Sequence, residues 1–597
     1  MAIAEAIRPA PPAFGVVRSF LGRRWALREA DDNAARALSL AHDISPMLAR
    51  LLAARGVTAE QTVDLLNPTL KRLLPEPLSL KDMDKAVARA RLAIEQGEKI
   101  AVFGDYDVDG SASAALVSDF FTALGRPPRI YIPDRLTEGY GPSARAMLLL
   151  KEEGTGLVIT VDCGAAATDA LIVARKSNLD VVVLDHHTIE ALSPAFAQVN
   201  PNQPGDTSGL GHLCAAGVTF LFLVALNRSL REVGWYAANG MREPDLRDAI
   251  DLVGLATVCD VVPIHGVNRA FVRAALGHLS SAKRPGLAAL AAIAKIAAPF
   301  TPYHFGFAIG PRINAGGRVG RCSLGVELLT AANEADAMPL ALMLDRHNRE
   351  RQALEAVILE EAMADASTQY NAPFLFASGE GWHSGVVGII AGRLKERFGK
   401  PALVVGFENG MGRGSARSIP GIDIGALVRA AHEQGILASG GGHAMAAGFS
   451  LDAGRLEHFL AFLASQFANA GAALAAANDL VLDCAISVSG ATLGLAEELA
   501  KLGPFGAGNP EPLAVASDVR VAFADVVGKK HVRVRFRGAD GGQLGAIAFR
   551  AVDTALGEGL LHTQGALLHV AGYLRADEWN GQRRVQFQVE DAAPAGA

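Results

Sequence analysis

The sequence predicts an α/β fold: a parallel-sheet domain joined by a long helix to a smaller α/β domain, followed by a C-terminal β-barrel. Three observations carry this expectation. Between residues 100 and 184, short apolar runs rich in β-branched residues alternate with helix-forming segments, the pattern of β-α-β units. A helical, mixed-charge stretch over 322–371 then separates this region from a second set of strand and helix signals. Beyond residue 510 the hydrophobic period switches to two.

Composition bounds the rest. A chain of 597 residues has room for about four domains. Its 50% hydrophobic and 20% charged content is that of a globular protein. The net charge of −6 gives no global basic signal, so a polyanion would have to be held by local patches. Cys163, Cys214, Cys259, Cys322 and Cys484 are scattered, with no CxxC pair. That argues against a disulfide framework or a thiolate zinc site and for a reducing cytoplasm. No apolar run reaches the ~18 residues of a membrane span, and the N-terminus lacks the apolar core of an export signal.

Residues 1–95 read as a mostly helical packing segment without evident chemistry. Gly56 is placed to end one helix, and 85–96 forms another. The first large domain spans 96–321. Its opening strand, 100–103, empties into Gly104-Asp105-Tyr106-Asp107-Val108-Asp109-Gly110, and a helix is expected over 113–124. Three carboxylates at alternate positions repel one another unless the loop is fully solvated or neutralised by cations. The run also looks like the start of an EF-hand loop, but no Glu stands at the twelfth position and no helix precedes it. A second strand, 157–161, ends in Asp162, and a third, 181–184, runs into Asp185-His186-His187. Right-handed crossovers would place these strand ends along one edge of a parallel sheet, where open α/β sheets bind their ligands. The apolar helix expected over 249–258 finishes in Asp260, in surroundings where an unpaired charge is costly.

Asp105, Asp107, Asp109, Asp162, His186, His187 and Asp260 form an oxygen-rich set with two imidazoles. Such a set suits Mn²⁺, with Mg²⁺ as the alternative, better than a sulfur-loving metal; zinc stays open, because His and Asp also bind it. The ligands suffice for two ions sharing one aspartate, the known device for activating water and stabilising a phosphoryl transition state.

GDYDVDG, Asp162, DHH and Asp260 together resemble the four motifs of the DHH phosphoesterase superfamily. The resemblance implies that Asp107, Asp109, Asp162, His186 and Asp260 are metal ligands and that Asp162 bridges two ions. It also implies that His187 contacts the scissile phosphate. There is one departure. Many members carry a His four residues before the aspartate matched by Asp107, where this chain has Phe103, and Asp105 is the residue placed to take over. His187, Asp162 and Asp105 are therefore the expected catalytic residues.

Before the connector, Gly310-Pro311-Arg312-Ile313-Asn314-Ala315-Gly316-Gly317-Arg318 reads as a glycine-rich turn. Its Arg312, Asn314 and Arg318 suit phosphate binding. The second domain, 372–480, alternates strands (374–377, 401–406) with helices (386–398, 424–433). It carries Ser415 and Arg417, then a glycine-rich loop with Gly441, Gly442 and His443. Consecutive glycines let backbone N–H groups approach an anion. These residues read as a phosphate or sugar clamp opposite the metals, and GGGHAMAAG resembles the signature of the DHH-associated substrate-binding domain. An Ala-rich spacer helix is expected over 453–477.

A breaker-rich boundary over 503–510 opens the last domain, 481–597. Alternation over 531–537 and a hairpin signal at Trp579-Asn580-Gly581-Gln582 suggest a barrel of OB type. Lys529, Lys530, Arg533, Arg535 and Arg537 would line one outer face as a groove for a nucleic-acid backbone, the bland alternative being a solvated strand face. This order of parts resembles the RecJ family of bacterial single-strand-specific exonucleases. The resemblance implies digestion of single-stranded DNA from its 5′ end to mononucleotides in recombination and repair. It also implies a cytoplasmic monomer without membrane contact, with a single-strand binding protein and a helicase as candidate partners. The alternatives are an oligonucleotide or cyclic-dinucleotide phosphodiesterase of the superfamily and a non-catalytic DNA-binding scaffold.

Overall fold

The computed structural model describes residues 11–135, 137–281, 283–369, 371–468, 479–563, 565–579 and 581–596. The chain forms two units. One comprises 63–352 with 504–510, and the other comprises 1–62, 353–503 and 511–597.

The first unit is built on five parallel strands: β1 (Lys99–Gly104), β2 (Arg129–Tyr131), β3 (Thr155–Val161), β4 (Asp180–Leu184) and β5 (Ala197–Val199), in the order β2-β1-β3-β4-β5. Both faces are covered, which is why the strands read as continuous apolar runs. Ile100, Val102, Ile159 and Val182 pack into one core, and Ala101, Phe103, Val158 and Val183 into another on the opposite face. Helix α1 (Val108–Ala123) starts five residues earlier than the sequence suggests. The Asp107 side chain accepts the N–H groups of Asp109 and Gly110, so it caps the helix and draws the acidic run into its first turn. Gly110 is required there, because a Cβ would lie 2.5 Å from the Asp105 carbonyl oxygen.

Three further helices frame the carboxyl edge of the sheet: α2 (Ala215–Glu232), α3 (Ile250–Cys259) and α4 (Gly266–Leu279). The α3–α4 crossing is tight, since a Cβ on Gly254 would stand 2.2 Å from that of Ala275. After a π-helical turn, Phe305–Ile309, helix α5 (Gly310–Val319) follows. The segment 504–510, expected only as a boundary, belongs to this unit. Its Ala507 carbonyl accepts the Ile264 N–H at 2.7 Å, just beyond Asp260.

Helix α6 (Glu334–Thr368) runs from the first unit into the second. There β6 (Leu375–Glu380), α7 (Val387–Phe398), β7 (Ala402–Glu408), β8 (Met411–Arg417), α8 (Ile424–Glu433), β9 (Ser439–His443) and β10 (Ala446–Asp452) make a sheet of order β9-β10-β8-β7-β6. Only β6 and β7 are parallel. Strands β11 (Ala514–Val527), β12 (His531–Arg537), β13 (Gln543–Ala548), β14 (Leu567–Trp579) and β15 (Gln582–Pro594) close into the expected barrel, because β11 pairs with both β12 and β14. The first segment is not wholly helical. Arg24–Leu27 pairs parallel with Asp479–Leu482, and the Trp25 indole and Ser19 hydroxyl both donate to buried Asp591 of the barrel.

Of the expected spacer, Leu456–Phe467 is helical and 469–478 lies outside the described residues, as do residues 1–10 and Asn580 of the hairpin turn. No helix among the described residues is long and apolar enough to cross a membrane. Gly254→Ala is expected to push α3 and α4 apart and to destabilise the first unit by about 1–3 kcal/mol. A thermal melt reads this directly; an unchanged midpoint would mean that the crossing has slack.

Candidate metal centre

The acids that the sequence scatters between positions 105 and 260 gather at the carboxyl ends of β1, β3 and β4. The Asp109 carboxylate accepts the N–H groups of Ala215 and Ala216 at 2.6 and 2.8 Å, so the N-terminus of α2 holds it. Asp162 follows β3 in a left-handed conformation (φ 60°), a strained choice for a residue with a side chain. Its carbonyl accepts the Tyr140 hydroxyl at 2.8 Å. Asp260 caps the C-terminus of α3. The backbone carbonyls of His186 and His187 are held by the side-chain amides of Asn202 and Asn200.

His186 stands at the centre. Its Nε2 lies 3.4 Å from Asp162, 3.6 Å from Asp260 and 3.8 Å from Asp109. His187 Nδ1 is 4.0 Å from Asp162. Three sets of ligand atoms each fall within 4.8 Å of one another: Asp162, His186 and His187; Asp109, His186 and Asp260; Asp105, Asp107 and Asp162. Phe103 contributes nothing to them. It is fully buried in the core and stacks on Tyr131.

Burial, reinforced by the neighbouring carboxylates, raises Asp105, Asp162 and Asp260 well above the carboxylate range and Asp109 to about 7. Burial and the His187 charge lower His186 to about 4. His187 goes the other way. Burial opposes its charge, but the 2.7 Å hydrogen bond and the charge of Asp185 outweigh that and raise it to about 9. Two buried atoms of this cluster, Asp105 Oδ1 and His186 Nε2, have no hydrogen-bond partner among the described residues. Crowded carboxylates around orphaned ligand atoms fit divalent cations, and the all-oxygen-and-imidazole set matches Mn²⁺ or Mg²⁺.

Sequence reasoning left Asp185 out of the site. Buried at the end of β4, it accepts three backbone N–H groups, from Ala165, His186 and His187, as well as the His187 ring. The signal was its place as first residue of the DHH triplet. Tyr140, Asn200 and Asn202 carried no motif and were not legible.

Arg312, Asn314 and Arg318, and likewise Gly441, Gly442 and His443, lie on regular elements where a turn and a loop were anticipated. Gly310–Arg318 is helical because its glycines serve close packing. A Cβ on Gly310 would stand 2.4 Å from Cys259 Sγ, and one on Gly317 3.0 Å from the Tyr106 ring. Arg312 is paired with Asp345 at 2.9 Å and donates to the Ala308 carbonyl. Asn314 accepts the Val108 N–H at 3.1 Å and so braces the first turn of α1; Arg318 lies in the last turn of α5.

In the second unit the glycine-rich segment is the strand β9. Gly441, Gly448 and Ser415 align across three strands, as do His443, Ala446 and Arg417, while Gly442 sits at φ 147°. Arg417 donates to Ser415 Oγ and has no carboxylate partner among the described residues; burial lowers its pKa. A half-buried cation of this kind fits an incoming anion. Gly388, in the first turn of α7, approaches both side chains. On the barrel, Val532, Val534 and Phe536 point inward, and Arg533, Arg535 and Arg537 outward beside the exposed Lys529 and Lys530. Arg533 is paired with Asp525 at 2.6 Å and lies over the Phe523 ring.

Residues 99–256 match the DHH family, N-terminal domain; 371–469 match the DHHA1 domain, and 482–591 the RecJ OB domain. The chain is 35% identical to the single-stranded-DNA-specific exonuclease RecJ of Dickeya dadantii, over 93% of this chain and 97% of that one. Against the RecJ of Bacillus subtilis it is 32% identical over 96% and 71%. The crystal structure of RecJ from Thermus thermophilus in complex with Mn²⁺ superposes with a TM-score of 0.77 at 28% identity, covering 95% of this chain and 79% of that one. The same protein's complex with Mg²⁺ gives 0.73 at 28% identity, covering 96% and 78%.

In metal-free protein, His187 is expected to titrate near 9. Asp185→Asn should bring its midpoint down towards the ordinary value of 6.5, since the interaction that raises it is removed. Proton NMR of the imidazole checks this, and an unmoved midpoint would remove Asp185 as the cause.

Proposed function

We infer that this chain, which belongs to the RecJ family of single-stranded-DNA-specific exonucleases, hydrolyses single-stranded DNA with Mn²⁺ or Mg²⁺ as cofactor. The observation that carries the reading is the convergence of Asp105, Asp107, Asp109, Asp162, Asp260, His186 and His187 on one buried cluster. In our reading Asp107, Asp109, Asp162, His186 and Asp260 would hold two ions, with Asp162 able to serve both, and Asp105 would supply the ligand that Phe103 cannot. Bound there, the ions would acidify a water and offset the charge that builds on a phosphodiester in the transition state.

The chain's own residues divide the remaining work. Asp185 occupies Nδ1 of His187, which leaves the Nε2–H of a protonated ring to donate to a non-bridging phosphate oxygen as negative charge develops there. Arg417, Ser415 and His443, with the bare strand at Gly441 and Gly442, grip the terminal nucleotide and its 5′-phosphate. This grip gives 5′-to-3′ digestion to mononucleotides, as recombination and repair require. Arg312 and Arg318 add positive charge on α5, and Asn314 steadies the aspartate-bearing turn. Lys529, Lys530, Arg533, Arg535 and Arg537 track the strand's backbone along the barrel.

The proposal extends to a monomer in the cytoplasm, supplied with strands by a single-strand binding protein and a helicase. The five unpaired cysteines suit that compartment. The barrel favours a long substrate over a dinucleotide, and the full ligand cluster favours an enzyme over a scaffold.

Digestion of 5′- and 3′-labelled single strands with Mn²⁺, Mg²⁺ or EDTA tests the activity and its polarity. Asp162→Ala is expected to lower hydrolysis about a thousandfold or more while leaving DNA binding in place; retained hydrolysis would displace Asp162 from the centre. Arg417→Ala should erase the preference for 5′-phosphorylated over 5′-hydroxyl ends, and an unchanged preference would remove Arg417 from the grip.

A further inference from the structure

The helical segment 302–319 borders the metal centre along its length. Towards its end, Gly317 lies against Tyr106, and Asn314 accepts the N–H of Val108, beside Asp107. In its middle, Gly306 and Gly310 lie against Val258 and Cys259, the residues leading into Asp260; Cys259 Sγ donates to the Phe305 carbonyl. At its start two aromatic rings stand in the open. Tyr303 is 63% and Phe307 68% exposed, and their rings stack on each other with centroids 4.8 Å apart and planes 21° from parallel.

Exposed aromatic rings are costly unless something covers them, and these rest on a π-helical turn, Phe305–Ile309. Such turns are rare and recur at functional sites. The wide turn keeps Phe305 and Ile309 fully buried while Phe307 projects. Val261, the neighbour of Asp260, is a further apolar side chain in the open, at 70% exposure. The position also selects the occupant. The segment's own cations are largely engaged, Lys283 with Asp248, Arg284 with Asp119 and Asp251, Arg312 with Asp345 and Arg321 with Glu327. The anionic part of a ligand therefore falls to the metal centre, and apolar rings on a segment that borders it favour a ligand that is both flat-faced and anionic.

We propose that Tyr303 and Phe307 form a base-stacking platform that holds an unpaired nucleotide of the DNA strand beside the metal centre. Stacking is tolerant of sequence, because every base presents a π-face, and it selects single strands, because paired bases are already stacked on their neighbours. The platform is a binding element rather than a catalytic one. It rests on the single-strand exonuclease reading and adds a defined contact to it.

The test uses the full-length protein with Mn²⁺ and a set of 5′-phosphorylated single strands, each carrying one abasic site at a successive position. In wild type, one position should show a raised KM when its base is missing. In the variant carrying both Tyr303→Ala and Phe307→Ala, KM for the intact strand should rise about tenfold for each stacked base lost. The abasic penalty at that position should then vanish, a coupling that a merely structural defect would not produce. Tyr303→Trp should keep most of the affinity that Tyr303→Ala loses, since the face and not the hydroxyl is used. An abasic penalty that persists undiminished in the double variant, or an intact-strand KM equal to wild type, would overturn the platform. Wild-type protein that cuts no single strand at all would instead overturn the exonuclease reading itself.

Discussion

Repulsion among buried carboxylates is the constraint on which the first unit depends. Asp105, Asp109 and Asp162 are almost wholly buried, and Asp162 feels the charges of the other two and of Asp260, an arrangement that opposes folding unless something offsets the charge. Part of the offset is built into the backbone. The N-terminus of α2 receives Asp109, the first turn of α1 receives Asp107, and three N–H groups receive Asp185. The remainder falls to cations, because Asp105 Oδ1 and His186 Nε2 have no hydrogen-bond partner among the described residues. The same repulsion that burdens the fold therefore creates the affinity for divalent ions.

Those N–H groups are available because of the topology. A parallel sheet brings strand ends and helix N-termini to one edge, so the acids after β1 meet donors from α1 and α2, and Asp185 after β4 meets those of Ala165 and its own loop, without long-range rearrangement of the chain. Asp260 arrives from the C-terminus of a helix, where the dipole offers no help. Its position is instead fixed by packing: α3 crosses α4 at Gly254, α5 leans on Cys259, and residue 507 ties down Ile264. Glycine at each close approach is what lets these backbones come near enough.

Much of this was legible in the sequence. Apolar runs ending in acids gave three strands to within two residues, and the DHH and GDYDVDG motifs, with Asp162 and Asp260 read from element ends, located every side chain of the cluster. The alternation of Val532, Val534 and Phe536 with arginines fixed the inner and outer faces of β12. What misled was glycine. The segments at 310–318 and 439–443 contain enough of it to read as turns, yet they are a helix and a strand, because glycine there makes room for Cys259, Tyr106 and Val428 of α8. Glycine content reports freedom of the backbone or closeness of a neighbour, and a sequence does not distinguish the two. Tyr140, Asn200 and Asn202 escaped for a different reason: they act on backbone carbonyls, and such partners leave no spacing pattern.

The two adjacent histidines show how position alone divides their labour. Side by side in the chain, with ring centroids 4.6 Å apart, they are pushed in opposite directions. His186 is buried among carboxylates but beside a charged ring, and it stays neutral, the state a metal ligand needs. His187 is bound to Asp185 and stays protonated, the state in which it can donate to a phosphate oxygen. Divalent cations would reinforce the first assignment, since positive charge near Nε2 disfavours a proton there. They would weaken the second, because the same charge reaches His187. Asp185 is what preserves the difference: a carboxylate that accepts three backbone N–H groups stays ionised at Nδ1 and stabilises the imidazolium against the cations. The first aspartate of the triplet thus sets the chemistry of the third residue, and the chain's order of Asp, His and His follows from that requirement.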